Sequence, residues 1–167
     1  FVTWISALPN NFCGLIFANE VVDAMPVHLF VDGENGVLER GVAIENSAQN
    51  AQFIWADKAP SKEVKEEAAR LCQKYELPQN YVSEINLIAK DWLKSLANSL
   101  KQGAILLIDY GFSEREFYHP ARVSGTLMCH YRHHSHIDPF YLPGLQDVTT
   151  HVDFTALANA AFASDLE

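Results

Sequence analysis

Two short stretches place chemistry-bearing side chains at the ends of apolar runs. CGLIFANE, residues 13–20, is continuously apolar and ends in Asn19 and Glu20, with Asp23 a turn later. AILLID, residues 104–109, is equally apolar and ends in Asp109, followed by Tyr110 and Gly111. An uninterrupted apolar run of that length suits a parallel strand covered on both faces. Ligands of open α/β sheets bind beyond the carboxyl ends of such strands. If the two strands are parallel neighbours, Glu20 and Asp109 face one opening, and paired carboxylates there favour a cationic, donor-rich partner. The bland alternatives are local. Asp23 could cap the turn DAM, and Asp109 could bridge a nearby loop.

A second cluster is CHYRHHSHID, residues 129–138, with Cys129, His130, His133, His134, His136 and Asp138. These residue types bind zinc. The spacing matches no closed four-ligand site, however, and no Cys-x-x-Cys pair accompanies it. No metal is assigned. A polar rim or a hydrogen-bonded loop accounts for the cluster better. Cys13, Cys72 and Cys129 are odd in number and far apart, which argues against a disulfide framework. Cys13 and Cys72 read as small core residues.

Several elements must hold these residues in place. Asn35-Gly36 marks a hairpin within residues 26–45, and QFIWA, 52–56, adds a third strand to a small antiparallel extension. Pro60 and Ser61 open a helix whose apolar face carries Val64, Ala68, Leu71 and Tyr75. A second helix is expected from about Glu84 to Leu100, with Ile85, Ile88, Ala89, Trp92, Leu93 and Leu96 on its stripe. Gly103 then leads into the second strand. Residues 111–150 read as one long loop, broken by Pro120, Gly125, Pro139 and Pro143-Gly144. DFTALANAAFA, 153–163, closes the order as a short helix with Asp153 near its start. This is a β–(insert)–α–β unit, hence an α/β protein.

Composition narrows the partners. The 167 residues carry 12 basic and 21 acidic side chains, a formal charge of −9. That balance argues against a surface that binds nucleic acid by neutralising phosphate. No apolar run approaches the roughly 20 residues needed to span a bilayer.

The runs FANEVVDAMPVHLF, YVSEIN, GAILLIDYGF, SGTLMCHYRHHSHIDPF and PGLQDVTTHVDFTAL together resemble the MidA-type proteins, bacterial and mitochondrial relatives of the complex I assembly methyltransferase. The motifs NE-x-x-DA-x-P, IDYG, GTL and DVT-x-HVDF stand in the family's order. The resemblance implies part of a class I methyltransferase, a Rossmann-like three-layer sandwich with a small antiparallel and helical insertion. It implies S-adenosyl-L-methionine as cofactor, and a protein substrate methylated on arginine, in the cytoplasm of a bacterium or the mitochondrial matrix of a eukaryote. Residues 14–20 and 104–109 match the family's fourth and fifth strands, and 26–80 its insertion over the substrate cleft. The family's glycine-rich donor loop and its ribose-holding acid have no counterpart in residues 1–167, so the chain is expected to be a partial domain, inactive alone. Carried over by motif, Glu20, Asp23 and Asp109 are the catalytic candidates. Asn19 and Glu20 lie toward the donor. Asn19, Tyr110, Gly111, His133, His136, Asp147, His151 and Asp153 lie toward the substrate. Within the histidine run, His133 and His136 fit the family's loop better than His130 and His134. The competing expectation is a non-catalytic assembly protein that keeps the fold.

Overall fold

The computed structural model describes residues 1–46 and 51–167. Its heart is a parallel pair, β1 (Phe12–Asn19) and β6 (Leu100–Ile108), in register from Cys13 opposite Gln102 to Asn19 opposite Ile108. Gly14 and Gly103 face each other, and both adopt positive φ, 154° and 146°. A Cβ on Gly103 would lie 1.8 Å from the Gly14 carbonyl oxygen. Only glycine permits that approach.

One face of the pair carries Ile105 and Leu107 against α2 (Leu87–Ser99) and α4 (Phe154–Phe162), in a core with Val22, Ala89, Leu93, Val152 and Leu157. The other face leaves Leu15, Phe17, Leu106 and Ile108 exposed. Strands covered on both faces were expected; here one face alone is covered. Cys13 is likewise exposed and not a core residue, while Cys129 is fully buried.

The insertion is a four-stranded antiparallel sheet in the order β4-β3-β2-β5, built from β2 (His28–Gly33), β3 (Gly36–Asn46), β4 (Ala51–Lys58) and β5 (Val82–Ile85). Its hairpin turns at Glu34-Asn35, one residue earlier than the Asn35-Gly36 reading, and the positive φ falls on Gly36. Helix α1 (Lys62–Tyr75) is N-capped by the Ser61 hydroxyl, which accepts from Val64 N–H. It sets Val64, Ala68 and Leu71 into a second core with Phe30, Tyr81, Ile85 and Phe117. Residues 82–85 correct the expected helix start. They pair with β2, and α2 begins after Asn86, whose side chain accepts from Ala89 N–H. This antiparallel sheet ends at Ile85; residues 47–50 lie outside the described residues.

The stretch 111–150 is not one loop. It holds β7 (Gly111–Phe112), the single turn α3 (Glu114–Phe117), and a small sheet of β8 (Met128–Tyr131), β9 (His134–His136) and β10 (Asp147–Thr149) in the order β10-β8-β9. β11 (Val152–Asp153) then pairs in parallel with β7 and leads into α4. The class is mixed α/β, and among the described residues the strands fall in four small sheets, with no single wide one. No helix among the described residues is long and apolar enough to cross a membrane.

Candidate functional site

The two strand tips point the same way because β1 and β6 are parallel and in register. The last ladder bond runs from Glu20 N–H to the Ile108 carbonyl at 2.8 Å, and Glu20 itself sits at φ 49°, in the left-handed region. Past it the chain makes a tight turn, in which Met25 N–H donates to the Val22 carbonyl. Asp109 holds that turn. Its Oδ2 accepts from Val22 N–H at 3.0 Å and Asp23 N–H at 3.3 Å, while Oδ1 accepts from Tyr110 N–H at 2.8 Å. Asp23 caps no helix, since residues 22–25 form a turn and not a helix.

The segment 147–153 closes against both tips. Thr150 N–H donates to the Asp23 carbonyl at 2.9 Å, and Val152 N–H to the Tyr110 carbonyl at 2.8 Å. The β7–β11 contact is so close that a Cβ on Gly111 would lie 2.1 Å from the Val152 carbonyl oxygen. Gly111 therefore serves the backbone.

Between these pieces lies an open cavity of about 530 Å³, lined by Glu20, Asp23, Tyr110, Asp147 and His151 together with Met128, His130, Ser135, Thr149 and Thr150. The first five are residues the sequence singles out. Asn19, Asp109, Gly111, His133, His136 and Asp153 are not in its lining. Asp153 N-caps α4, accepting from Ala156 N–H at 3.0 Å, and lines a separate inner cavity of about 30 Å³, room for about one water. His133 lies in the β8–β9 turn, at φ 66°. The His136 ring meets Tyr141 edge-on at 5.4 Å, and its Nδ1 accepts from Asp138 N–H.

Sequence reasoning ranks His130 low and omits Met128, Ser135, Thr149 and Thr150; His130 and Ser135 stand opposite each other in the β8–β9 ladder. The signal was the alternation in MCHY. Side chains two apart share a face, so Met128 and His130 line the cavity while Cys129 is buried behind them.

Electrostatics follow from the acids. Burial raises the Asp23 carboxyl above its ordinary range, and Asp109, Glu20 and Asp147 push it the same way. The imidazole of His151 is pushed below its ordinary value, first by burial and then by Arg122, outweighing the opposite pull of Asp109 and Asp23. It therefore stands neutral at pH 7, stacked on Phe112 with ring centroids 4.9 Å apart. A negatively charged rim beside a neutral imidazole can hold a cation and take up a proton. Among the described residues no group of His, Cys, Asp and Glu is arranged to hold a metal.

Comparison with known proteins bears on what such a site does. The whole chain, residues 1–167, matches the family described as "Putative S-adenosyl-L-methionine-dependent methyltransferase". Two solved structures from Burkholderia thailandensis are similar. One, described as a COG1565 superfamily member and "likely methyl transferase" bound to S-adenosyl-homocysteine, is 42% identical with a TM-score of 0.89. The other, described as an uncharacterized COG1565 superfamily protein, is 43% identical with a TM-score of 0.88. Each match covers 97% of this chain and 40% or 42% of the other, so the chain spans about two fifths of their length. No curated protein matches. By the match over its full length, the chain belongs to the family described as "Putative S-adenosyl-L-methionine-dependent methyltransferase".

Proposed function

We propose that the open cavity is the substrate end of a protein arginine N-methyltransferase, and that residues 1–167 are the substrate-side part of a longer Rossmann-like domain. The observation that carries the reading is the convergence of Glu20, Asp23 and Asp147 on one cavity with Tyr110 and His151. A similar protein bound to S-adenosyl-homocysteine supports the cofactor, and the two-fifths span of both relatives supports the partial domain. The resemblance to MidA-type proteins extends the reading to a subunit of a respiratory complex as the client.

The residues present fit one end of S-adenosyl-L-methionine. Its sulfonium and ammonium are cations, and the Asn19 amide together with the negative field of the acidic strand tip suits them, while the Glu20 carboxylate itself lines the cavity on the substrate side. When bound, the donor supplies an activated methyl group on a positively charged sulfur. The chain's own side chains do the rest. A guanidinium is a planar fork of five N–H donors that a carboxylate matches bidentately. Glu20 makes that grip, and Asp23 and Asp147 take the remaining donors. Holding the substrate nitrogen in line is most of the catalysis in a direct displacement. His151 offers an unprotonated ring nitrogen for the proton that the methylated nitrogen sheds. Asp109 acts at one remove, fixing the turn that carries Asp23.

The test is methyl transfer from labelled donor to an arginine peptide, by the whole protein that carries this chain, with a lysine peptide alongside. Glu20→Gln is expected to lower kcat on the order of 100-fold while changing donor Kd less than about threefold. Equal losses in both would remove Glu20 from the substrate grip. Transfer to lysine and not arginine would overturn the substrate class, and donor binding without transfer to any peptide would favour an assembly factor.

A further inference from the structure

The second acid to explain lies behind the cavity and not in it. Glu84 is 2% exposed, at the end of the insertion's sheet on β5. Its Oε1 accepts from Thr126 N–H at 2.8 Å and Leu127 N–H at 2.9 Å. Its Oε2 accepts from the hydroxyls of Ser83 at 3.2 Å and Thr126 at 3.3 Å. A buried carboxylate is costly unless donors surround it, and here four do. Room for it is made by Gly125, at φ 72°, where a Cβ would lie 2.4 Å from Oε1. The same Thr126 hydroxyl that donates to Glu84 accepts from His151 N–H at 3.0 Å. Two residues past Thr126, Met128 lines the open cavity. One carboxylate on β5 thus grips both walls of the site, Thr126 and Leu127 directly and His151 through a single hydroxyl.

We propose that Glu84 is a positioning residue for the open site, and that it sets the backbone of His151, and so its ring, through Thr126. Removing the hydroxyl leaves His151 N–H without its partner in a part-buried place, which frees the backbone to move toward water. The ring then loses part of the burial that keeps it neutral. Charges facing the ring come from Asp23 and Asp109 at the strand tips and Arg122 on the preceding turn, while Glu84 and Asp153 line the inner cavity it shares. Of these, only Glu84 touches Thr126, through the hydroxyl that donates to its Oε2, and Glu84→Gln beside Thr126→Val separates a change in that charge from a shift of the His151 backbone. The proposal rests on the open cavity being the substrate end, but its test uses no methyl transfer, so the two can fail separately.

The experiment is NMR on the whole protein that carries this chain, selectively labelled, following the His151 ring through a pH titration and its amide through hydrogen exchange, with amides of β2 and β3 as the internal reference. Thr126→Val is expected to raise the His151 midpoint by about half a unit toward its ordinary value. It is also expected to speed the His151 amide about tenfold relative to the reference amides. Thr126→Ser, which keeps the hydroxyl, should restore both. Glu84→Gln keeps an oxygen for the two backbone donors and should stay near wild type, whereas Glu84→Ala should move His151 as the valine does. If valine does not fit, Thr126→Ala repeats the measurement. A wild-type His151 midpoint and relative exchange rate in the folded valine or alanine variant would overturn the proposal, even if the variant melts earlier.

Discussion

Gly103→Ala is expected to uncouple β1 from β6. The added methyl would have to occupy the space of the Gly14 carbonyl group, which is backbone and cannot swing aside. The residue would also sit at φ 146°, a conformation that side-chain-bearing residues rarely adopt. Strain of this kind combined with a broken ladder belongs to the large class of single-residue effects, about 3 kcal/mol or more. The loss would not stay local. The register that runs through Gly14 and Gly103 ends at Asn19 and Ile108, and Glu20 donates the next bond to Ile108. Slippage by one residue turns every side chain of β1 to the other face. Denaturant unfolding of the variant should show the lower midpoint, and loss of the long-range NMR contacts between residues 14–19 and 103–108 would identify the cause. A variant with wild-type stability would mean that the glycine pair does not fix the register.

The second large effect concerns Glu114, on the single turn α3. Its side chain is nearly buried and accepts from Arg70 at 2.8 Å, Lys74 at 2.6 Å and the Tyr75 hydroxyl at 2.7 Å. These bonds tie α3 to α1, and so the wall of β7 and β11 to the insertion. Burial alone would raise the carboxyl; the three donors outweigh it and hold it at about 2, below its ordinary 4.5. A depressed folded-state pKa stabilises the protein at every pH above the unfolded value. That stability should be fully present above about pH 4.5 and lost as pH falls toward about 2. Arg70 and Lys74 are both substantially exposed, so solvent screens part of the gain, and about 2 kcal/mol is the expected size at pH 7. Glu114→Gln should therefore lower the unfolding free energy by about 2 kcal/mol at pH 7 and by little near pH 2. Denaturation curves at the two pH values decide it. A difference that persists unchanged at low pH would assign the loss to packing and not to charge.

How much of this could be read from the residues depends on which forces set each part. CGLIFANE and AILLID announced their strands by unbroken apolar runs, although only the face of Ile105 and Leu107 is covered and Leu15, Phe17, Leu106 and Ile108 stay exposed. Their parallel pairing and common tip followed. SKEVKEEAARLCQKY announced α1 through its periodic face and its serine cap. Residues 82–85 did not announce a strand. They continue into a helical stripe, and only pairing with β2, some fifty residues earlier, makes them extended. Short strands such as His134–His136 are held by partners across the sheet and carry too few residues to show a period. The acids at the tips were legible as a group. Their division of labour was not, because Asp109 spends its oxygens on Val22, Asp23 and Tyr110, and no pattern of residue types reveals that. Glu84 read as the first residue of a helix for the same reason: its burial is a property of the loop at 125–127 that folds over it.

Glu20 is a long carboxylate in a backbone conformation that glycine would adopt without cost. A chain selected for stability alone would relax that position, and the ladder bond from its amide to Ile108 would survive the change. What would vanish is one negative charge at the mouth of the cavity. Glu76, Arg132 and Leu142 take up the same backbone conformation, so the angle alone is not a mark of chemistry; at Glu20 it falls where the chain leaves the sheet, and it sets a charged side chain at the cavity mouth.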